Sequence, residues 1–274
     1  MGQLHHMDRA AATCRICLAG CLWVAVRAIP ACTVSKHAGE GTWRTQCRHN
    51  LKQIALALAN YHDVNGCYPP AYIPDAEGRP MHSWRVLLLP YLEFYGEYKE
   101  YRFDEPWNSP DNLEISRSVA SRANPYRSPD QRKPWMETNY MMIVGPGTIC
   151  EGAHSMRVED VCDDPATTLV IAEVFGTGVH WTEPKDLDVA TMSFWVNDPR
   201  PDAIRSGHRR RDHINAMGAH VLLADFFYSG TFVVRLLSED TDPDVVRAMT
   251  TIDGGESVPE DVFSSEGQST LFGR

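Results

Sequence analysis

The sequence is short of positive charge. Its 26 Lys and Arg face 36 Asp and Glu, a formal net charge of -10 at pH 7, whereas holding a phosphate backbone needs the opposite balance. No nucleic-acid partner is expected, and the one basic run, RSGHRRRDH at 205–213, reads as a solvated loop. Short motifs with a known mechanism are also missing. There is no G-x-S-x-G nucleophile elbow, no G-x-x-x-x-G-K-S/T phosphate loop, no H-E-x-x-H and no G-x-G-x-x-G after a strand. Cys14 and Cys17 form a C-x-x-C, but no second pair follows at zinc-ribbon spacing. No fixed-period repeat is visible. These absences count against the common enzyme classes and against repeat architectures.

A long membrane-crossing run is lacking too. The most apolar stretch, RICLAGCLWVAVRAIPACTV at 15–34, is unbroken only from Ile16 to Val26, short of the roughly 20 residues a bilayer span needs. Arg9 and Arg15 precede it as a positively charged lead would, and LAGC (18–21) resembles a lipobox ending at Cys21. Residues 1–34 therefore read as an export or membrane-anchor segment, the alternative being a buried N-terminal helix. The eight cysteines are split: Cys14, Cys17, Cys21 and Cys32 lie in this region and Cys47, Cys67, Cys150 and Cys162 in the body. In an oxidising compartment the body four permit two disulfides in any of three connectivities.

What is present is a core-forming composition, with 43% hydrophobic and 23% charged residues among 274. Residues 35–43 (SKHAGEGTW) read as a linker or weak helix. From Arg44, the residues Cys47, Leu51, Ile54, Ala55, Leu58, Tyr61 and His62 recur at three- and four-residue steps, the stripe of an amphipathic helix. Gly66 and Pro69–Pro70 stop it. Asn50, Asn60, His62 and Asp63 on this helix read either as caps and docking groups or as a site. Ser83 caps a second helix that Pro90 kinks or ends, and Ser109 with Pro110 opens a third over 109–122. After residue 137 strand-length runs follow at 138–148, 167–175, 191–197, 219–226 and 230–237, then a short helix within 242–256. Helices first and strands later predict an α+β fold with an antiparallel sheet. Residues 257–274 read as a flexible tail.

The polar candidates sit near strand ends. Glu173 follows LVIA and Asp225 follows VLLA; His208, His213 and His220 precede Asp225, and Asp186 lies in HWTEPKDL beside Trp181. Carboxylates and imidazoles that converge can hold a divalent cation or share a proton. The leading reading is strand-end acids that pair with Arg or cap turns, with no cofactor; the alternative makes Glu173, Asp186, His213 and Asp225 candidates for holding calcium or another metal. No catalytic residue or organic cofactor is assigned.

TQCRHNLKQIALALANYHDVNGCYPPA (45–71), SWRVLLLPYLE (83–93), PWNSPDN (106–112), NYMMIVGPGT (139–148), TTLVIAE (167–173), WTEPKDL (181–187) and GGE (254–256) together resemble, in order, a bacterial family catalogued as domain of unknown function 1559. That family carries a prepilin-type N-terminal segment and a C-terminal element labelled H-X9-DG. The resemblance spans about 44–256. It implies a pseudopilin-like domain, a long N-terminal helix packed on an antiparallel sheet with additional short helices, exported or membrane-anchored by its N-terminus. It implies no enzymatic activity, and partners among envelope or secretion-system proteins. The family has also been likened to solute-binding proteins. Three departures stand out. The leader lacks the prepilin glycine and glutamate. Arg127 in YRSPD (126–130) stands where the family often has a cysteine, so Cys47 is left as a thiol or pairs with Cys67. Finally, Asp225 is followed by Phe226 in place of glycine. The expectation is a non-enzymatic envelope module. The alternatives are a small-solute or calcium-binding module with aromatics around Trp84, Trp107 and Trp181, and a hydrolase using Glu173, Asp186 and His213. A cytoplasmic location follows only if the degenerate leader does not work.

Overall fold

The computed structural model describes residues 36–128, 136–155, 158–207, 218–225 and 234–263, all within one compact unit, Lys36–Arg274. The export or anchor segment 1–34 and the metal candidate His213 lie outside the described residues.

Helix α1 spans Lys36–Asn65. The segment read as a linker, 35–43, is helical from Lys36 onward. No proline interrupts it, and Gly39 and Gly41 each cost a helix only about 1 kcal/mol. Cys47, Leu51, Ile54, Ala55 and Leu58 are fully buried, because a period of 3.6 residues gathers them on one face. Lys52 and Gln53 are exposed. The helix stops at Gly66, whose φ of +72° suits a residue without a Cβ and whose N–H donates to the His62 carbonyl at 2.7 Å. Three polar residues of this helix serve docking or capping. His62 stacks on Tyr68 with ring centroids 4.5 Å apart, Asn65 donates to the Tyr61 carbonyl at 2.7 Å, and Asn50 donates to the Arg127 carbonyl at 2.9 Å.

A hairpin follows, β1 (Tyr72–Pro74) with β2 (Pro80–Ser83), which the sequence pattern did not announce. Ser83 then caps α2, accepting from the Arg85 N–H. This helix has only four residues, Trp84–Leu87, and Pro90 lies in a separate 3-10 turn, Leu89–Leu92. After α3 (Tyr95–Glu100), α4 (Pro110–Ala123) starts as expected, with the Ser109 hydroxyl accepting from Asn112 N–H and Pro110 in the first turn.

The main sheet comprises β3 (Tyr140–Val144), β4 (Leu169–Glu173), β5 (Leu187–Asp188), β6 (Gly218–Leu223) and β7 (Val234–Ser238), in the order β5-β3-β4-β6-β7. β3–β4, β4–β6 and β6–β7 are antiparallel, but the two-residue edge strand β5 lies parallel to β3. The long connection from β4 gives the chain room to return in that direction. The fold is α+β. One sheet face, carrying Met142, Ile171, Leu222 and Val234, joins the core under α1; the other, carrying Met141, Ile143, Ala172 and Val221, is covered by Phe194, Met249 and Val262. Met249 follows α5, Pro243–Ala248.

Two expectations need correcting. Residues 191–197 form no strand beyond a single Ser193–Ala203 bridge. Asn197 takes a φ of 63° and the Ser193 hydroxyl donates to Asp198 at 2.6 Å, so the chain turns back before a ladder can form. The segment read as a tail docks at its start: Glu260–Val262 is a 3-10 turn, with Val262 buried and Phe263 bridged to Leu237. Among the described residues no helix is long and apolar enough to cross a membrane.

Candidate functional site

The described residues include two buried carboxylates, Glu173 and Asp186, each held by named partners, and a cleft beside α1. Side chains alternate along a strand, and the register Tyr140–Glu173 and Ala172–Val221 puts Tyr140, Glu173 and His220 together on the face under α1. Glu173 is fully buried. Its Oε2 accepts from His220 Nδ1 at 2.9 Å and from the His220 backbone N–H at 3.1 Å, and its Oε1 accepts from the Ser206 hydroxyl at 3.4 Å. α1 closes this cluster from above. Cys47 Sγ lies 3.1 Å from the Ser128 hydroxyl, and the Tyr140 hydroxyl donates to the Cys47 carbonyl at 3.3 Å. Burial, reinforced by the Glu173 charge, pushes the Cys47 thiol far up, and burial does the same to Tyr140. Both are held protonated, so Cys47 is not a thiolate nucleophile.

Asp186 has a different cradle. Its Oδ1 accepts from Arg85 at 2.6 Å, from Met142 N–H at 2.9 Å and from Trp84 Nε1 at 3.2 Å. The side chains of Arg85 and Asp186 are 0% and 4% exposed. Arg85 also donates twice to the Tyr140 carbonyl and once to Ser83. Burial raises the Asp186 carboxyl despite Arg85, Trp84 and Met142 pulling it down. This is an ion pair that ties α2 to the sheet.

Of the metal candidates, Glu173 and Asp225 do not converge as the sequence pattern suggested. Glu173 and Asp225 each follow an apolar strand, but β4 and β6 run antiparallel with Leu169 opposite Leu223. Glu173 thus lies at one end of the sheet and Asp225 at the other, on the order of 15 Å apart at about 3.3 Å per residue. Among the described residues no group of three or more His, Cys, Asp or Glu is arranged to hold a metal ion. The aromatics also divide. Trp84 and Trp181 are fully buried on either side of Tyr126, with centroids 5.8 and 5.7 Å away, and act as core. Trp107 lies against His180 at 5.3 Å, and burial, helped by Arg117, lowers His180 to about 4. No disulfide links Cys47, Cys67, Cys150 or Cys162. The Cys47–Cys67 alternative fails on length, since 18 residues of helix at about 1.5 Å each already separate Cys47 from the end of α1.

The cleft has a volume of about 940 Å³ and runs beside α1. One wall is a lateral stripe of α1: Gln46, His49, Gln53 and Leu56. The other is the end of α4 and the segment after it, including Arg122 and Arg127, with Tyr91, Leu92 and Phe94. Sequence reading missed it. The only signal was the polar spacing 46, 49, 53 beside the apolar stripe, and a polar helix flank usually means solvent.

Residues 36–132 match the model of a family described as a protein of unknown function (DUF1559). The match covers about a third of the chain, and that stretch is similar to the family. No curated protein and no solved structure matches the chain. The matched stretch contains every residue lining the cleft, whereas Glu173, Asp186 and Asp225 lie beyond it.

Proposed function

We propose that the protein is a non-enzymatic interaction module of the cell envelope, exported or membrane-anchored through its N-terminal segment and pseudopilin-like in layout. The observation that carries this reading is the division of labour on α1. Cys47, Leu51, Ile54 and Leu58 are spent on the protein's own core, while Gln46, His49 and Gln53 face an open cleft. Such a helix holds its fold with one side and offers another to a partner. The buried acids support the same reading, since Glu173 and Asp186 are taken up by His220 and Arg85. The test is intact mass and fractionation of the protein from its native cells. A membrane-bound species, or a secreted one shortened at the N-terminus, is the expected result; a full-length soluble species in the cytosol with reduced cysteines overturns it.

A second reading is a small-solute or calcium-binding module. The cleft favours the solute form, because its volume falls in the range of small-ligand sites, roughly 300–1,000 Å³. Calcium is tested by melting the chelated protein with and without added Ca²⁺, since a ligand that binds only the folded state raises the midpoint. No shift at saturating Ca²⁺ removes the calcium form.

A further inference from the structure

We propose that the cleft beside α1 binds a monocarboxylate with an apolar body, and that Arg127 is its anchor. This rests on the solute-binding reading of the cleft. The two ends of the cleft differ in chemistry. At one end Arg127 emerges from a backbone fixed by Asn50, which donates to its carbonyl at 2.9 Å, next to Gln46 and His49. Arg127 Nε is buried and finds no acceptor, and among the described residues its guanidinium enters no ion pair. The other cation lining the cleft, Arg122, is already engaged: it binds Glu97 at 2.6 Å and lies over Phe94 at 4.8 Å. In a chain of net charge -10, a half-buried guanidinium without a counter-charge selects for an anion. Its planar fork matches a carboxylate.

The opposite end carries apolar side chains beside Glu93 and the already engaged Arg122. Leu56 lines the cleft and is 48% exposed, facing a wall that carries Tyr91, Leu92 and Phe94. Leu56 lies six residues beyond Asn50 on the same helix, about 9 Å along its axis. A ligand that satisfies both ends has a carboxylate head and an apolar body of about that reach. An inorganic anion fills only the first end, and a neutral hydrocarbon only the second.

The test is calorimetric titration of the full chain with decanoate below its micelle concentration, beside decan-1-ol and acetate. Decanoate is expected to bind saturably at one site per chain, with acetate and decan-1-ol each at least about tenfold weaker, the worth of a charged hydrogen bond or of a buried tail. Arg127→Gln is expected to weaken decanoate at least about tenfold and to leave decan-1-ol unchanged, while Arg127→Lys recovers part of the loss. Leu56→Asp, at an exposed position, weakens decanoate independently of any effect at Arg127. Equal binding of decan-1-ol and decanoate overturns the carboxylate assignment and leaves the cleft a solute site. Decanoate binding that ignores both Arg127→Gln and Leu56→Asp places the ligand elsewhere and overturns this proposal together with the solute reading. No binding of decanoate overturns the proposal outright.

Discussion

Asp186 and Glu173 are both carboxylates inside the protein, and their partners are not alike. Asp186 faces Arg85, a cation at every accessible pH, in a pair whose side chains are 0% and 4% exposed. Glu173 faces His220, whose charge depends on protonation, together with a backbone N–H and the Ser206 hydroxyl. The first arrangement is a buried ion pair joining a short helix to the sheet. The second joins neighbouring strands of one sheet. Both acids also have neutral donors, but taking Asp186 away leaves the buried Arg85 guanidinium without its counter-ion, whereas Glu173 faces His220 rather than such a fixed cation. A buried acid is thus not by itself a sign of chemistry, and its partner decides what it does.

The sharpest break in this comparison is Asp186→Ala. Leaving Arg85 buried without its counter-ion is expected to cost about 3–5 kcal/mol, read by chemical denaturation. The double change Arg85→Met with Asp186→Leu should cost less than Asp186→Ala alone; if the double change costs the sum of the two single ones, the pair is not a unit. Glu173→Gln keeps an acceptor for the His220 backbone N–H, and a smaller loss of about 1–3 kcal/mol is expected. A loss as large as that of Asp186→Ala would make the two sites equivalent.

His180 gives the comparison a pH axis. Its value in the folded chain is lowered from 6.5 to about 4, so between those limits the unfolded chain binds the additional proton. Stability is therefore whole above about pH 6.5 and falls as pH drops toward 4. His180→Gln should flatten that part of the acid limb in melting curves, and an unchanged slope would assign the acid sensitivity to other groups. The smallest effect is expected at the surface. Arg122 and Glu97 are 2.6 Å apart, but the arginine is 56% exposed, so Glu97→Gln should cost no more than about 1 kcal/mol. The loss should shrink further in high salt.

The sequence exposed those parts of the fold that depend on local rules. The stripe of α1, its stop at Gly66, the caps at Ser83 and Ser109 and four strands of the main sheet follow from spacing and turn chemistry. What it hid depends on direction and distance. Glu173 and Asp225 occupy equivalent places in two similar strands, yet antiparallel pairing sends them to opposite ends of the sheet. Asp186 looked like a metal candidate because its guanidinium partner, Arg85, is about a hundred residues earlier. Phe194 and Val196 keep the alternation of a strand, both buried with Trp195 exposed, and yet lie in a folded-back loop. The cleft was concealed for the same reason, since its two walls come from α1 and from the end of α4.

Tyr140 touches each of these structures. Its carbonyl accepts from Arg85, its hydroxyl holds the backbone of α1 at Cys47, and its place on β3 is opposite Glu173. A single residue at the start of β3 thus works as a linchpin between helix, ion pair and strands. Opening of α1 at Cys47 releases the Tyr140 hydroxyl while the backbone pairing of Tyr140 with Glu173 can stay, so the side chain alone links amide exchange in the helix to that in the sheet.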